Sequence, residues 1–186
     1  ELWSIDDLGE GHAGAAVANG RVYVLDYDED RLADTLRCFS LDDGREIWRR
    51  WYRVSLKRDH GISRTVPAAG GRYVVTLGPA GQVMCCDALT GEFRWGIDLV
   101  ADFGTALPRW YAGQCPLIDG DQAVIAACGP EVLLMGVDLA TGRIAWRTPN
   151  PRRLEMSHSS IVTTTIDGVR MYMYAAVNGI VGVSAD

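Results

Sequence analysis

The chain has 186 residues, 48% of them hydrophobic, and a formal net charge of −6. That length and apolar share suffice for the core of one domain. The acidic balance argues against the basic surface that nucleic-acid binding requires, and no apolar run reaches the length of a membrane span.

In chain order, Glu1-Leu2-Trp3 reads as the tail of a repeat, an orphan outer strand over residues 1–6. A first full repeat is expected over 9–52. It runs from the small-residue stretch Ala13–Val17 through an Asn19-Gly20 turn into Arg21–Leu25, then Leu36–Leu41, then a Gly44 turn and Trp48. A second spans 62–99, with a Gly70-Gly71 turn, Arg72–Thr76, Gln82–Asp87, Gly91 and Trp95. A third spans 112–148, with Asp119-Gly120, Gln122–Ala126, Val132–Asp138, Gly142 and Trp146. A fourth, 157–186, repeats the pattern through Asp167-Gly168, Val169–Tyr174 and Gly179–Ser184. Asn-Gly and Asp-Gly are the pairs that a tight hairpin favours, because both central residues need positive φ. Four short strands per repeat, with no sustained 3.6-residue apolar period, predict an all-β fold rather than helical repeats. The tryptophans Trp3, Trp48, Trp95 and Trp146 recur at steps of 45, 47 and 51 residues. A period of roughly 40–50 residues marks units that cannot each bury their own apolar face. A four-stranded meander repeated radially is a β-propeller blade.

The phrase that closes each repeat carries a resemblance. Asp87-Ala-Leu-Thr-Gly-Glu-Phe-Arg-Trp95 and Asp138-Leu-Ala-Thr-Gly-Arg-Ile-Ala-Trp146 are in register with Ser40-Leu-Asp-Asp-Gly-Arg-Glu-Ile-Trp48. They resemble the tryptophan-docking repeat Ala-x-Asp-x-x-x-Gly-x-x-x-Trp of pyrroloquinoline quinone (PQQ)-like propellers. Ser40 and Ser184 depart from it at the aspartate and Asp43 at the threonine. Leu99–Trp110 is similar to a stretch common in large bacterial PQQ-like repeat proteins. The resemblance implies four PQQ-like four-stranded blades, half of an eight-bladed ring. It also implies a docking role for Trp3, Trp48, Trp95 and Trp146 with Gly44, Gly91 and Gly142, and an extracytoplasmic, mostly periplasmic, location. With blade four lacking its outer strand, three outcomes are open: closure of a small ring by the N-terminal strand, self-pairing of two chains through open blade edges, or a piece of a longer protein. The last is favoured, since the cut falls at a repeat boundary and no initiator Met is present.

The functional expectations concern the loop face. Counting back from each hairpin turn, His12, Arg64, Gly113 and His158 are equivalent positions at the entry to each first strand. Radial repetition gathers such positions around one mouth. Loops carry binding groups more often than strands do, and the long loops add Lys57-Arg58-Asp59-His60, Asp102, Arg109-Trp110-Tyr111 and Arg152–Glu155. The expected rim is His12, Arg64, Arg109, Trp110 and His158, taking a protein partner or small ligand as a non-enzymatic scaffold. The family's second branch implies a PQQ- and calcium-dependent alcohol dehydrogenase. There the arginines would pair with cofactor carboxylates, Trp110 would stack on the quinone and Asp102 would be the general base. Calcium needs several oxygen ligands, and only Asp102 and Glu155 offer themselves. The three histidines have no metal-ligand spacing. The bland alternative is a set of solvated loop residues with incidental ion pairs.

Two further motifs read as structural. The Cys85-Cys86 pair could mimic the vicinal disulfide of quinoprotein dehydrogenases, but neighbours in a strand point to opposite faces. Five cysteines at irregular spacing are no disulfide framework. Asp26–Asp30 lacks the glycine and terminal glutamate of a calcium loop and is expected as a solvated loop between strands two and three.

Overall fold

In the first repeat, Asn19 (φ 52°) and Gly20 (φ 68°) adopt the left-handed conformations that a two-residue hairpin demands. They fold β1 (Ala15–Ala18) onto β2 (Arg21–Asp28), which continues into β3 (Ala33–Ser40) and β4 (Glu46–Arg53). The computed structural model describes residues 2–57 and 61–185; Arg58, Asp59 and His60 of the loop named above, with Glu1 and Asp186, lie outside the described residues. The second sheet is β5 (Ala68–Gly70), β6 (Tyr73–Leu77), β7 (Gln82–Asp87) and β8 (Phe93–Asp98), followed by a short helix α1 (Leu99–Phe103). The third is β9 (Leu117–Asp119), β10 (Gln122–Ala126), β11 (Val132–Asp138) and β12 (Ile144–Pro149). The fourth is β13 (Val162–Ile166), β14 (Val169–Ala176) and β15 (Gly179–Ser184). Every sheet is an antiparallel meander in sequence order, four-stranded in the first three repeats and three-stranded in the fourth. The fold is all-β, built as propeller blades.

Strand alternation splits the second blade between two cores. Val74, Met84 and Cys86 of the second blade join Tyr23, Leu25, Leu36 and Cys38 of the first. Val75, Val83 and Cys85 face the other way, into the larger core shared with the third and fourth blades. Cys85 and Cys86 are thus buried on opposite sides of one strand, and both are free thiols. Burial above all pushes their pKa values up, to about 12 and about 11 respectively.

The repeated tryptophans span the seams between blades. Trp48 stands opposite Cys38, Trp95 opposite Cys85 and Trp146 opposite Gly136 across the third and fourth strands. A small residue leaves room there; a Cβ at Gly136 would collide with the Trp146 indole. The rings of Trp3, Trp48 and Trp95 then lie over Gly44, Gly91 and Gly142 of the next repeat. A Cβ at Gly142 (φ 72°) would sit 2.6 Å from Trp95 Cγ, so both space and conformation call for glycine. The indole N–H of Trp3 donates to Leu41 O and that of Trp95 to the equivalent Leu139 O, each at 2.9 Å. Trp146 instead stacks on Tyr172 of the fourth blade, 5.7 Å between centroids, and donates to Gln122.

Three details differ from the sequence reading. Residues 2–9 form no strand, although Trp3 takes the position over Gly44 just described. β2 runs to Asp28, so Asp26 is a buried strand residue rather than part of a solvated loop. It accepts from Gly9 N and Tyr27 N and pairs with buried Arg37, whose guanidinium also holds Asp7 and Glu46. Helix α1 has no counterpart in the strand reading: Asp98 caps it by accepting from Val100 N and Ala101 N, and Gly104 ends it at φ 67°.

Candidate functional site

The long connections between blades lie on one face together with the turns that join each second strand to its third. His12 N donates to Ser63 O at 2.7 Å, and Gly11 bridges Ser63 in parallel. The imidazole of His12 packs on Gly61, the residue whose missing side chain makes room for it. Arg64 follows Ser63. Two residues further in, Gly14 packs on Val66, Val66 N donates to Cys115 Sγ at 3.2 Å, and Cys115 N donates to Ser160 Oγ at 3.0 Å. His158 packs on Gly113. The four strand entries therefore tile in the order of the blades, each touching the next.

The side chains on this frame are unequal. His12 and His158 are exposed and Arg64 is half-buried, its Nε without a hydrogen-bond partner among the described residues. Arg109 lies over the Trp110 ring at 5.2 Å, both exposed at the tip of the loop after α1. Tyr111, held at φ 72°, reaches back and its hydroxyl donates to Lys57 O, tying this loop to the one before it. Asp102 does something else: its carboxylate accepts from Asp98 N at 3.0 Å and closes the first turn of α1. The backbone of Glu155 pairs with Val177.

Two buried amides that the sequence reading passed over hold the frame rigid. Gln114 donates to Ala126 O and accepts from Ala126 N. Asn150 donates to Gly129 O and Leu154 O and accepts from Leu154 N, pinning the loop between blades three and four. Amides satisfied on both ends specify one geometry. Neither residue belongs to a motif, and only an amide flanked by apolar loop residues marked them.

The residues present do not fit PQQ with calcium. A calcium cage needs several converging oxygens, and the described residues hold no group of three or more His, Cys, Asp or Glu that could take a metal ion. Asp102 is committed to the helix, and Cys85 and Cys86 face separate cores, so neither a base nor a disulfide platform is assembled.

A family model described as outer membrane protein assembly factor BamB matches residues 32–186. Among solved structures, BamB from Moraxella catarrhalis superposes with a TM-score of 0.63 at 18% identity, over 98% of this chain and 48% of that one. Quinohemoprotein alcohol dehydrogenase ADHIIG from Pseudomonas putida HK5 gives 0.59 at 19%, over 92% of this chain and 32% of that one. The computationally designed Ika4 protein gives 0.60 at 13%, over 99% of this chain and 97% of that one. A search of curated proteins finds no match. The chain spans less than half the length of the two natural structures, and at these identities the likeness is one of fold.

Proposed function

The chain belongs to the family of the outer membrane protein assembly factor BamB, and from that premise we propose that it is a non-enzymatic binding and scaffold module working outside the cytoplasm. The observation that supports this reading is the loop face itself. Its loops are stitched to one another by backbone and buried-amide hydrogen bonds, and on that rigid base it presents His12, Arg64, Arg109, Trp110 and His158. Cationic and aromatic groups of this kind are enriched where proteins recognise partners. The carboxylate expected to do chemistry is used instead as a helix cap. No helix of the described residues is long and apolar enough to cross a membrane.

The test places a photo-crosslinking amino acid at position 110 and exposes the chain to a bacterial envelope extract. A discrete adduct with an envelope protein is expected, lost in the Arg64→Ala/Arg109→Ala variant while its thermal melt is unchanged. A parallel titration with PQQ and calcium, read by tryptophan fluorescence, is expected to give no saturable quenching. Calcium-dependent quenching at micromolar cofactor would overturn the scaffold reading in favour of a quinoprotein dehydrogenase.

A further inference from the structure

On the outer side of the seam between the first and second blades, with its Tyr52, Gln82 and Asp98 end toward the loop face, lies a groove of about 550 Å³, within the usual range for small-molecule sites. Trp51 and Phe93 stand at its rim, 46% and 50% exposed, and Val83, Met84 and Ile97 make its apolar wall.

Its deep end is rich in oxygen acceptors. Tyr52, which lines the groove, donates its hydroxyl proton to Asp34 Oδ2 at 2.5 Å, leaving its own oxygen as an acceptor. Asp34 is fully buried, and its Oδ1 has no partner among the described residues. The same holds for Thr76 Oγ1, also fully buried, and for Gln82 Oε1, which lines the groove. The register brings these groups together. Asp34 and Tyr52 are cross-strand partners, and both press on Gly78. Gly78 N donates to Gln82 O, and Thr76 lies two residues before Gly78 on the same face of β6. Four oxygens from four strands thus lie toward the same end of one seam. Unpaired buried acceptors cost about 1–3 kcal/mol each, so a group that donates to several of them at once is the natural occupant.

Charge selects the donor. Asp26 lies behind Asp34, and Asp98 at the groove wall adds negative potential at Tyr52. Arg50, the one cation of the lining among the described residues, is turned to the opposite end, where its Nε donates to Gly91 O. We propose that this groove binds a primary ammonium group on an apolar body, with the head among Asp34, Tyr52, Thr76 and Gln82 and the body between the Trp51 and Phe93 rims. An ammonium has three donors and no acceptor, and aromatic faces favour a cation. Burial pushes the Asp34 carboxyl up to about 7, so the head binds best where Asp34 has lost its proton. The groups facing Asp34 are Tyr52 from β4 and Tyr27 and Asp26 from β2, with Arg37 on β3 itself neutralised by Asp7, Asp26 and Glu46. The proposal stands apart from the loop-face reading.

The experiment titrates the folded chain with 2-phenylethylamine and with its neutral isostere 2-phenylethanol, following the Trp51 indole signal by NMR, and adds a blocked Ala-Lys-Ala peptide as a third probe. Saturable amine binding is expected, at least tenfold tighter than the alcohol, strengthening from pH 6 to pH 8 and weakened at least tenfold by Asp34→Asn. Tighter binding of the peptide than of the amine would assign the ammonium to a partner's lysine, and the reverse to a free amine. The surface variant Phe93→Ala, which leaves the buried cluster intact, is expected to weaken all cationic probes. Equal affinity for amine and alcohol, or no saturable shift with either cationic probe, overturns the proposal without relying on any variant.

Discussion

The seams on either side of the second blade are made from the same repeat and are finished differently. Between the second and third blades, Trp95 is only 7% exposed, its N–H is satisfied by Leu139 O, and Phe103 and Leu107 from the α1 region pack onto the core. Between the first and second, Trp48 is half-buried and its indole nitrogen has no partner among the described residues, because the Tyr23 hydroxyl donates to Ala88 O, the carbonyl equivalent to Leu139 O. The same seam keeps three further orphan oxygens and an open groove. One seam is a closed apolar core, while the other retains unpaired polar groups that a ligand can satisfy. Repetition supplies the scaffold, and departure from it at one seam supplies specificity.

The comparison is broken most directly by truncating the two tryptophans. Trp95→Ala is expected to cost about 3–5 kcal/mol, as large aromatic truncations in a core do. Trp48→Ala is expected to cost about 1–2 kcal/mol less, since that ring is less completely buried and it leaves no hydrogen bond behind. Urea unfolding measures both. A loss below about 1 kcal/mol for Trp95→Ala, or equal losses for the pair, would remove the distinction between the seams.

A second probe uses pH. The folded chain holds Asp34 at a pKa of about 7, well above the 3.8 of an ordinary aspartate, because burial disfavours its charge. The folded state therefore binds a proton that the unfolded state has released over that interval. The stability tied to this proton is fully present below pH 4 and is lost as pH rises through about 7. Asp34→Asn keeps an acceptor for Tyr52 and removes the titration. Relative to wild type it is expected to gain on the order of 2–4 kcal/mol between pH 4 and pH 8. A difference that stays flat across that range would show that Asp34 is ionised inside the fold. Smaller still is Cys86→Val, expected to change stability by less than about 1 kcal/mol in either direction, as a near-isosteric core exchange; a much larger loss would mean that Cys86 does more than fill space.

The blade architecture was legible because period-2 strands, hairpin pairs and evenly spaced tryptophans all point to one fold, and each signal is local. The placement of Cys85 and Cys86 on opposite faces was legible for the same reason, from strand parity alone. The loop-face positions were legible only as equivalences. Repeat alignment identifies His12, Arg64 and His158 as corresponding residues, but the hydrogen bonds from Gln114 and Asn150 that fix those loops come from residues outside any repeat motif. Helix α1 was missed because five residues show no periodicity; its signal was Asp98 as a cap with Gly104 beyond. The Asp34 cluster was invisible for a deeper reason. Asp34 sits in a third strand whose counterparts in the other blades, Gly81, Val132 and Asn178, carry no ionisable side chain, and only the packing of two blades shows that, among the described residues, no cation comes to meet it.

The finest test concerns the hydroxyl that makes the two seams differ. Tyr23→Phe deletes the bond to Ala88 O and would ordinarily cost about 0.5–1.5 kcal/mol. Here the freed carbonyl is the one that the Trp48 indole would use if the seam were built like its neighbours, as Trp3 uses Leu41 O and Trp95 uses Leu139 O. Trp48 already lies over Gly91, so a small rotation of the ring satisfies donor and acceptor together. The expected net loss is therefore under about 0.5 kcal/mol, accompanied by a downfield shift and slowed exchange of the Trp48 indole proton. A full loss with an unchanged indole signal would mean that the seam is set by the packing of Tyr23 rather than by competition for one carbonyl.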